Sequence, residues 1–424
     1  MKFSKLGGSV AFVAAASMAL TACASSAPTS TGPVDVSLWT HAAGNPAEIA
    51  LIEELTVAFN ESQSDYVVSI EDLPQASYND AIVGAAAAGD LPCIMDVDGP
   101  VMPAWAYADY LAPLDLDPAL EESLIDGVKG YYGDELYSVG LYDAATAIVT
   151  RQSILDEFGI RVPTADNPWT GEEFDAALET LQASGKFENA LDMGTGWTGE
   201  WYPYAFSPFL QSFGGDLIDR DTFETAEGVL NGPEAVAWGE WWQGLFTKGY
   251  VSAKESADRE RFAEGSVAIQ FNGIWAAKTA ADTFDDVLFL PTPDFGAGAK
   301  IGAASWQWGI SSACEHPEAA QAWIDFALQK EWLVRFSNET GNIPATAEAA
   351  AEAELFQPGS PYLQFVENSK SLALIRPATP AYPVIAKVFE KAAADIMNGA
   401  DVQGSLDAAV DEINADLASN NYYE

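Results

Sequence analysis

The chain has 424 residues, 49% of them hydrophobic, and carries 63 acidic side chains against 19 basic ones, a formal charge of −44. That is a folded composition, long enough for two domains. So acidic a surface excludes nucleic acid, whose phosphates need basic partners, and argues against anionic small ligands.

At the N-terminus, Lys2 and Lys5 precede an apolar or small stretch from Gly7 to Leu20. This run is short for a bilayer, which takes about 20 apolar residues, so residues 1–22 are expected to be a signal peptide. Leu20-Thr21-Ala22-Cys23 resembles the lipobox of bacterial lipoproteins, in which the cysteine is acylated and becomes the mature N-terminus. An ordinary cleaved signal is the alternative; the position of Cys23 and the small residues before it favour acylation. Residues 23–33, rich in Ser, Thr, Ala and Pro and without apolar periodicity, are expected to form a flexible tether.

Beyond the tether, strand and helix patterns alternate. Val34 to Trp39 alternates like a strand; Pro46 to Phe59 has helical spacing through Ile49, Ile52, Leu55 and Phe59. Tyr66 to Ile70 is strand-like, Tyr78 to Ala88 is an Ala-rich helix stopped by Gly89, and Cys93 to Val97 is a third apolar strand. This β-α-β-α-β order implies an α/β fold with a parallel sheet. Further strands are expected at Thr146 to Val149 and Val267 to Phe271, with helices at Gly171 to Leu181 and Gln403 to Leu417. Trp238, Trp241 and Trp242 share a helical pattern with Leu245 and belong to the core, as do Trp323 and Trp332.

Cys93 and Cys314 are isolated thiols far apart in the chain and lack metal-ligand spacing. Export permits a disulfide between them; two buried free thiols are the alternative. Gly194-Thr195-Gly196-Trp197-Thr198-Gly199 matches GxGxxG, with Asp216 and Asp219 downstream. The preceding strand is weak, and Trp197 sits inside the turn that would have to admit a pyrophosphate, so no nucleotide site is expected. The chain has no P-loop, HExxH, EF-hand loop or CxxC, and only two histidines, His41 and His316. No cofactor and no metal are expected.

Several segments, in order, resemble the extracellular solute-binding protein family 1, the sugar-binding group that includes the maltose-binding protein. They are VSLWTHAAGNPAEIALIEELTVAFNES, YNDAIVGAAAAGDLPCIMDVDG, LYSVGLYDAATAIVTRQSILDEFGI, FAEGSVAIQFNGIW, SWQWGISSACEHPEAAQAWIDFAL, TGNIPA and IRPATPAYPVIAKVFEKAAADI. Cys93 departs from the pattern, where the family more often has Asp after the Pro. The resemblance implies a two-lobed periplasmic-binding-protein-like fold with discontinuous lobes, a hinge and an interlobe ligand cleft. Lobe 1 would comprise 34–141 plus 302–336, and lobe 2 would comprise 142–301 plus 337–424. It further implies an extracytoplasmic lipoprotein, a monomer held to the membrane through its lipid anchor only, that captures a carbohydrate and delivers it to the membrane permease of an ABC importer. A hinge motion driven by a ligand that binds both faces is the corresponding mechanism.

Sugar rings offer apolar faces to aromatics, and their hydroxyls need fixed donors and acceptors. Trp197, Trp201, Tyr202, Tyr204 and Phe206 cluster in what reads as a Gly/Pro-rich loop; from these Trp197, Trp201 and Tyr204 are assigned to the ligand. By resemblance the loop bearing Trp275 faces the cleft. Trp306 and Trp308 are two apart on a strand, and Trp306 is nearer the crossing. Polar contacts are expected from Thr40, His41 and Asn45 in the loop after the first strand. Asp98 at the end of the third strand is a further candidate, with Asp96 behind it. Arg376, one of seven arginines, is either a ligand donor or a lobe salt bridge, and the resemblance favours the donor. Tyr142 and Asp143 lie where the first crossing should be, to touch the ligand or line the hinge. The aromatic richness favours an oligosaccharide over a single ring. A glycan-active hydrolase or a cell-surface polysaccharide-binding scaffold is the rival reading. The family fold also sets the strands Cys93–Val97 and Trp306–Ile310 antiparallel in one lobe, bringing Cys93 to Cys314 as a disulfide.

Overall fold

The computed structural model describes residues 32–255 and 259–423. The expected signal peptide, most of the tether and Cys23 lie outside the described residues. Among the described residues no helix is long and apolar enough to cross a membrane.

The first strand, Val34–Ala43, alternates as its sequence does, burying Val36 and Leu38. It pairs in parallel with Tyr66–Pro74 on one side and with Ile94–Asp98 on the other. The helices between them, Pro46–Ser62 and Gln75–Ala88, are bounded by local chemistry. Asn45 caps the first, accepting the Glu48 N–H, and Pro46 occupies a position where no N–H is needed. Gly89 ends the second in a left-handed conformation. Leu51, Ile52, Leu55 and Phe59 of the first helix pack on Val36 and Leu38.

A late segment completes this sheet. Trp306–Ser311 runs antiparallel to Ile94–Asp98, with Trp306 opposite Asp98, and pairs on its other edge with Glu135–Val139 and with Leu111–Ala112. The strand order is thus 66–74, 34–43, 94–98, 306–311, 135–139, 129–132. Helices Pro317–Ala327 and Lys330–Thr340 cover one face; Trp323 packs edge-on against Trp308 at 4.8 Å. Ala345 and Ala349 also join this core, past the expected lobe edge at 336. Cys93 and Cys314, at adjoining ends of the antiparallel pair, form a disulfide with Cα atoms 4.6 Å apart.

The second sheet has the order 287–290, 146–151, 267–273, 189–192. Val267–Gly273 runs antiparallel to Thr146–Arg151 and parallel to Asn189–Asp192. Around it lie helices Gly171–Ala183, Trp201–Phe213, Pro233–Thr247, Tyr382–Met397 and Val402–Ser419. Their apolar faces meet in a core of Phe206, Phe209, Trp238, Trp242 and Phe389. Gly171–Ala183 starts with a capping box, Thr170 and Glu173 each accepting the other's backbone N–H.

The segment 201–213 is a correction to the sequence reading, which had it as a loop. Pro203 sits in the first helical turn, where its missing N–H costs nothing. Pro208, inside the helix, forfeits one backbone bond, but twelve of the thirteen residues are buried, and tertiary burial outweighs that loss. Gly302 permits close approach here, since a Cβ at that position would lie 2.2 Å from the Tyr204 carbonyl oxygen.

Short strand pairs tie the crossings between the lobes. Tyr142–Asp143 pairs with Ile343–Pro344, and Ile301–Gly302 pairs with Ala373–Leu374. The buried Asp143 carboxylate accepts the Ala144 N–H at 2.9 Å, the Ala304 N–H at 2.8 Å and the Ser369 hydroxyl at 3.1 Å, one donor from each crossing region. Ala304 holds φ 70°, a left-handed conformation that costs a non-glycine residue about 1–2 kcal/mol and that the Asp143 contact helps to hold. Burial pushes the Asp143 carboxyl up to about 6 against the pull of these three donors.

Candidate ligand-binding site

In an open α/β sheet, ligands sit beyond the carboxyl ends of the parallel strands, where the topology reverses. Here those ends carry His41 on Val34–Ala43 and Asp98 on Ile94–Asp98, and the antiparallel return strand starts beside them at Trp306. The first-lobe wall is built from these residues. The His41 and Trp306 rings stack with centroids 3.7 Å apart and planes 7° from parallel, and Tyr78 meets Trp306 edge-on at 5.6 Å. His41 Nδ1 lies 2.6 Å from Asp96 Oδ2, which also accepts the Thr40 hydroxyl at 2.8 Å.

The second-lobe wall comes from the turn after strand Asn189–Asp192, the helix that follows it, and the segments at 275 and 376. Of the glycines in the GxGxxG match, Gly194 serves packing: at φ +65° it leaves room for the Trp201 indole, whose Nε1 would lie 3.1 Å from any Cβ there. Trp201 is buried, donates to the Met193 carbonyl at 3.1 Å, and sits at the centre of an aromatic nest. Trp197 is 4.7 Å away, Trp275 6.1 Å and Tyr204 6.2 Å. Trp275 is 38% exposed, the one large ring of this nest that projects from the wall.

The walls meet through Arg376. Its guanidinium is buried, lies 4.9 Å from the Tyr204 ring centroid, donates to Glu200 and stands 3.7 Å from Asp98 Oδ1. Tyr382 donates its hydroxyl to the same Glu200 oxygen at 2.7 Å. Tyr382 and Ala386 pack with Val97, Met102 and Trp105 of the first lobe, while Ile385 and Phe389 of the same helix belong to the second-lobe core.

Two carboxylates share one cation in this wet-to-dry boundary, and their titration reflects it. Burial raises Asp98, opposed by Arg376 and His41. Burial likewise pushes Glu200 up to about 7, against Arg376 and with the help of the Asp98 charge. For Arg376 burial favours the neutral form, but Tyr382, Glu200 and Asp98 more than compensate, so it stays charged. Burial raises the Tyr204 hydroxyl, which therefore stays protonated as a donor.

Two polar atoms of this cluster are buried with no hydrogen-bond partner among the described residues: the Tyr204 hydroxyl and Arg376 Nε. Leaving a buried polar group unpaired costs about 1–3 kcal/mol. Both belong to residues already singled out in the sequence.

The structure therefore brings His41, Asp98 and Trp306 to one wall and Trp197, Trp201, Tyr204, Trp275 and Arg376 to the other. Tyr142 lies at the crossing, where it donates to Glu48 at 2.5 Å and stacks on Phe336. Asn45 stands apart, exposed at its helix cap. Glu200, Tyr382, Glu48 and Tyr78 were missed. Tyr382 lies six residues after Arg376 in the segment IRPATPAYP, which is the one signal that could have found it.

Two α/β lobes with crossings between them and aromatic and charged walls facing at strand ends define a hinged solute receptor. The model of the bacterial extracellular solute-binding protein family matches residues 54–358, and the chain belongs to that family. It is 25% identical over 188 residues to the maltodextrin-binding protein MdxE of Bacillus subtilis, covering 42% of this chain and 45% of that one, less than half of that relative's length. It is 25% identical over 372 residues to a maltooligosaccharide ABC transporter solute-binding lipoprotein of Streptococcus pneumoniae, covering 83% of each. Among solved structures, an ABC substrate-binding protein of Listeria monocytogenes in complex with cycloalternan superposes with a TM-score of 0.77 at 17% identity, over 91% of this chain and 99% of that one.

Proposed function

We propose that this protein is an extracytoplasmic receptor that encloses a neutral oligosaccharide between its lobes and presents it to an ABC importer. The observation that carries this reading is the pairing of stacking surface with unpaired donors. Trp275 and Trp306 offer ring faces from opposite walls, and the Tyr204 hydroxyl and Arg376 Nε stand buried beside them without partners. Sugar hydroxyls pair with both, and the rings receive the apolar sugar faces. Maltooligosaccharide, maltodextrin and cycloalternan, named for the relatives and the structural neighbour, are neutral glucans. A neutral ligand also suits a cleft in which Asp98 and Glu200 share a single Arg.

We infer lobes of 34–141 with 302–336, extended through helix Ala347–Glu352, and 142–301 with the remaining C-terminal residues. Acylation at Cys23 anchors the protein to the outer face of the cell membrane, a monomeric receptor whose partner is the permease. A thermal-shift screen against maltooligosaccharides, cyclic glucans and other neutral oligosaccharides, with product analysis of each mixture, tests the proposal. A raised midpoint without new products is expected; product release would identify an enzyme, and no shift with any neutral oligosaccharide would refute the receptor reading.

A further inference from the structure

His41 is buried, and its ring is taken up by other protein groups. One face lies against Trp306 at 3.7 Å, nearly parallel, Nδ1 is 2.6 Å from Asp96, and Nε2 is 3.7 Å from Glu48. Its nitrogens are thus directed at two buried carboxylates. Trp306 is the partly exposed member of the stack and stands at the cleft end of its strand, opposite Asp98. What His41 controls is therefore the indole.

We propose that His41 is a positioning residue, whose imidazolium, clamped between Asp96 and Glu48, fixes the tilt of the Trp306 face on which a sugar ring lies and so couples sugar affinity to pH. This deepens, and rests on, the oligosaccharide reading of the cleft.

The electrostatics fit that geometry. Burial alone would drive the His41 proton off; the charges of Asp96 and Glu48, the Asp96 hydrogen bond and the Asp98 charge outweigh it, and the proton is held more tightly than in a free histidine. Asp96 and Asp98 come from the third strand, Glu48 from the first helix and Tyr142, through Glu48, from the crossing. From the second helix comes Tyr78, whose hydroxyl accepts the Asp96 N–H at 3.0 Å. Among the described residues the cation near this set is Arg376, engaged with Asp98 and Glu200. If His41 loses its proton, Nδ1–H still donates to Asp96, but Nε2 then turns a lone pair toward Glu48, and the clamp on the stack loses its Glu48 side.

The sign follows from linkage. A histidine whose folded value is raised contributes fully below its free value and loses that contribution as pH rises through the folded one. Affinity should fall on the alkaline side, because the protonated ring is the form that holds the indole for the sugar. By reciprocity, a sugar that prefers the protonated form must raise the His41 value by the logarithm of the affinity ratio.

His316 is exposed and lies past the end of strand Trp306–Ser311 opposite to Trp306, so a His316→Gln protein leaves a single histidine ring to follow by NMR. Maltotetraose, within a panel of neutral oligosaccharides, is the probe. Between about pH 6 and about pH 9 the affinity should fall about fivefold or more in the parent, and stay level across that range in His41→Gln. The His41 resonance should titrate above its free value and move higher when sugar is added. Sugar binding with the same pH profile in His41→Gln as in the parent, or a His41 resonance that sugar does not shift, overturns the inference alone. If no oligosaccharide of the panel binds at any pH while His41 still titrates, the carbohydrate reading has failed and this inference falls with it. Should His41→Gln not fold, the resonance shift decides by itself.

Discussion

Tyr204→Phe separates a ligand contact from a packing residue by sign. The tyrosine ring is 6% exposed and lies between the Arg376 guanidinium at 4.9 Å and the Trp275 ring at 5.9 Å. Phenylalanine keeps all of that and removes only the hydroxyl, which has no partner among the described residues. In the free protein this deletes an unpaired buried group, worth about 1–3 kcal/mol, so stability should be unchanged or higher by about 1 kcal/mol. In a protein of this size such a gain raises the melting midpoint by about 1–3 °C. In the complex the same hydroxyl pairs with the sugar, so affinity should fall by about 1–2 kcal/mol, or about five- to thirtyfold. Calorimetric titration with maltotetraose and scanning calorimetry of the free protein give the two numbers. A lowered free-protein midpoint with unchanged affinity would show that the hydroxyl serves the fold, and would remove the main support for the site.

Trp275→Ala should weaken sugar binding by about 1–3 kcal/mol, the range for a contact aromatic, while the free protein's midpoint moves little, because this ring is already 38% exposed. Equal losses of stability with and without sugar would assign it to packing. Glu200 is held up at about 7 against a free value of 4.5, so its folded form prefers the proton and stability should fall as pH rises between those values. In denaturation curves at stepped pH, Glu200→Gln should show a shallower decline, Asp143 supplying part of what remains; a parallel decline in both proteins would assign it wholly to other groups. Cys314→Ser opens a bridge between residues 221 apart, for which chain entropy predicts a loss of up to about 5 kcal/mol. Because the bridge ties two strands of one lobe and leaves the crossings untouched, sugar affinity should persist. Two alkylated cysteines in the denatured, unreduced parent would refute the bridge.

The fold was legible where one physical pattern dominates. The first strand shows its alternation because only one face meets the core, and the next helix shows its start because Asn45 and Pro46 are placed at a cap. Trp238 and Trp242 could be assigned to the core because helical spacing puts them on one buried stripe. The pattern failed at 201–213, where two prolines and six aromatics imitate a loop and burial on every side erases periodicity. Asp98, Trp306, Tyr204 and Arg376 stood out as polar or aromatic residues at strand ends, in an aromatic run or in an apolar stretch, and the fold gathers them. Asn45 passed the same test and is exposed at its cap, since residue type alone cannot separate a side chain that caps a helix from one that faces a cleft. Glu200 is the reverse case. Along the chain it is one of 63 acids next to a helix start, a place where an acid needs no further reason. Its role exists only because Arg376, 176 positions away, is folded against it and burial leaves the two with Asp98 and Tyr382 for company. A side chain defined by long-range charge and desolvation carries no local pattern, so Glu200, whose partners all come from distant segments, is the member of this charge cluster that a linear reading is least able to find.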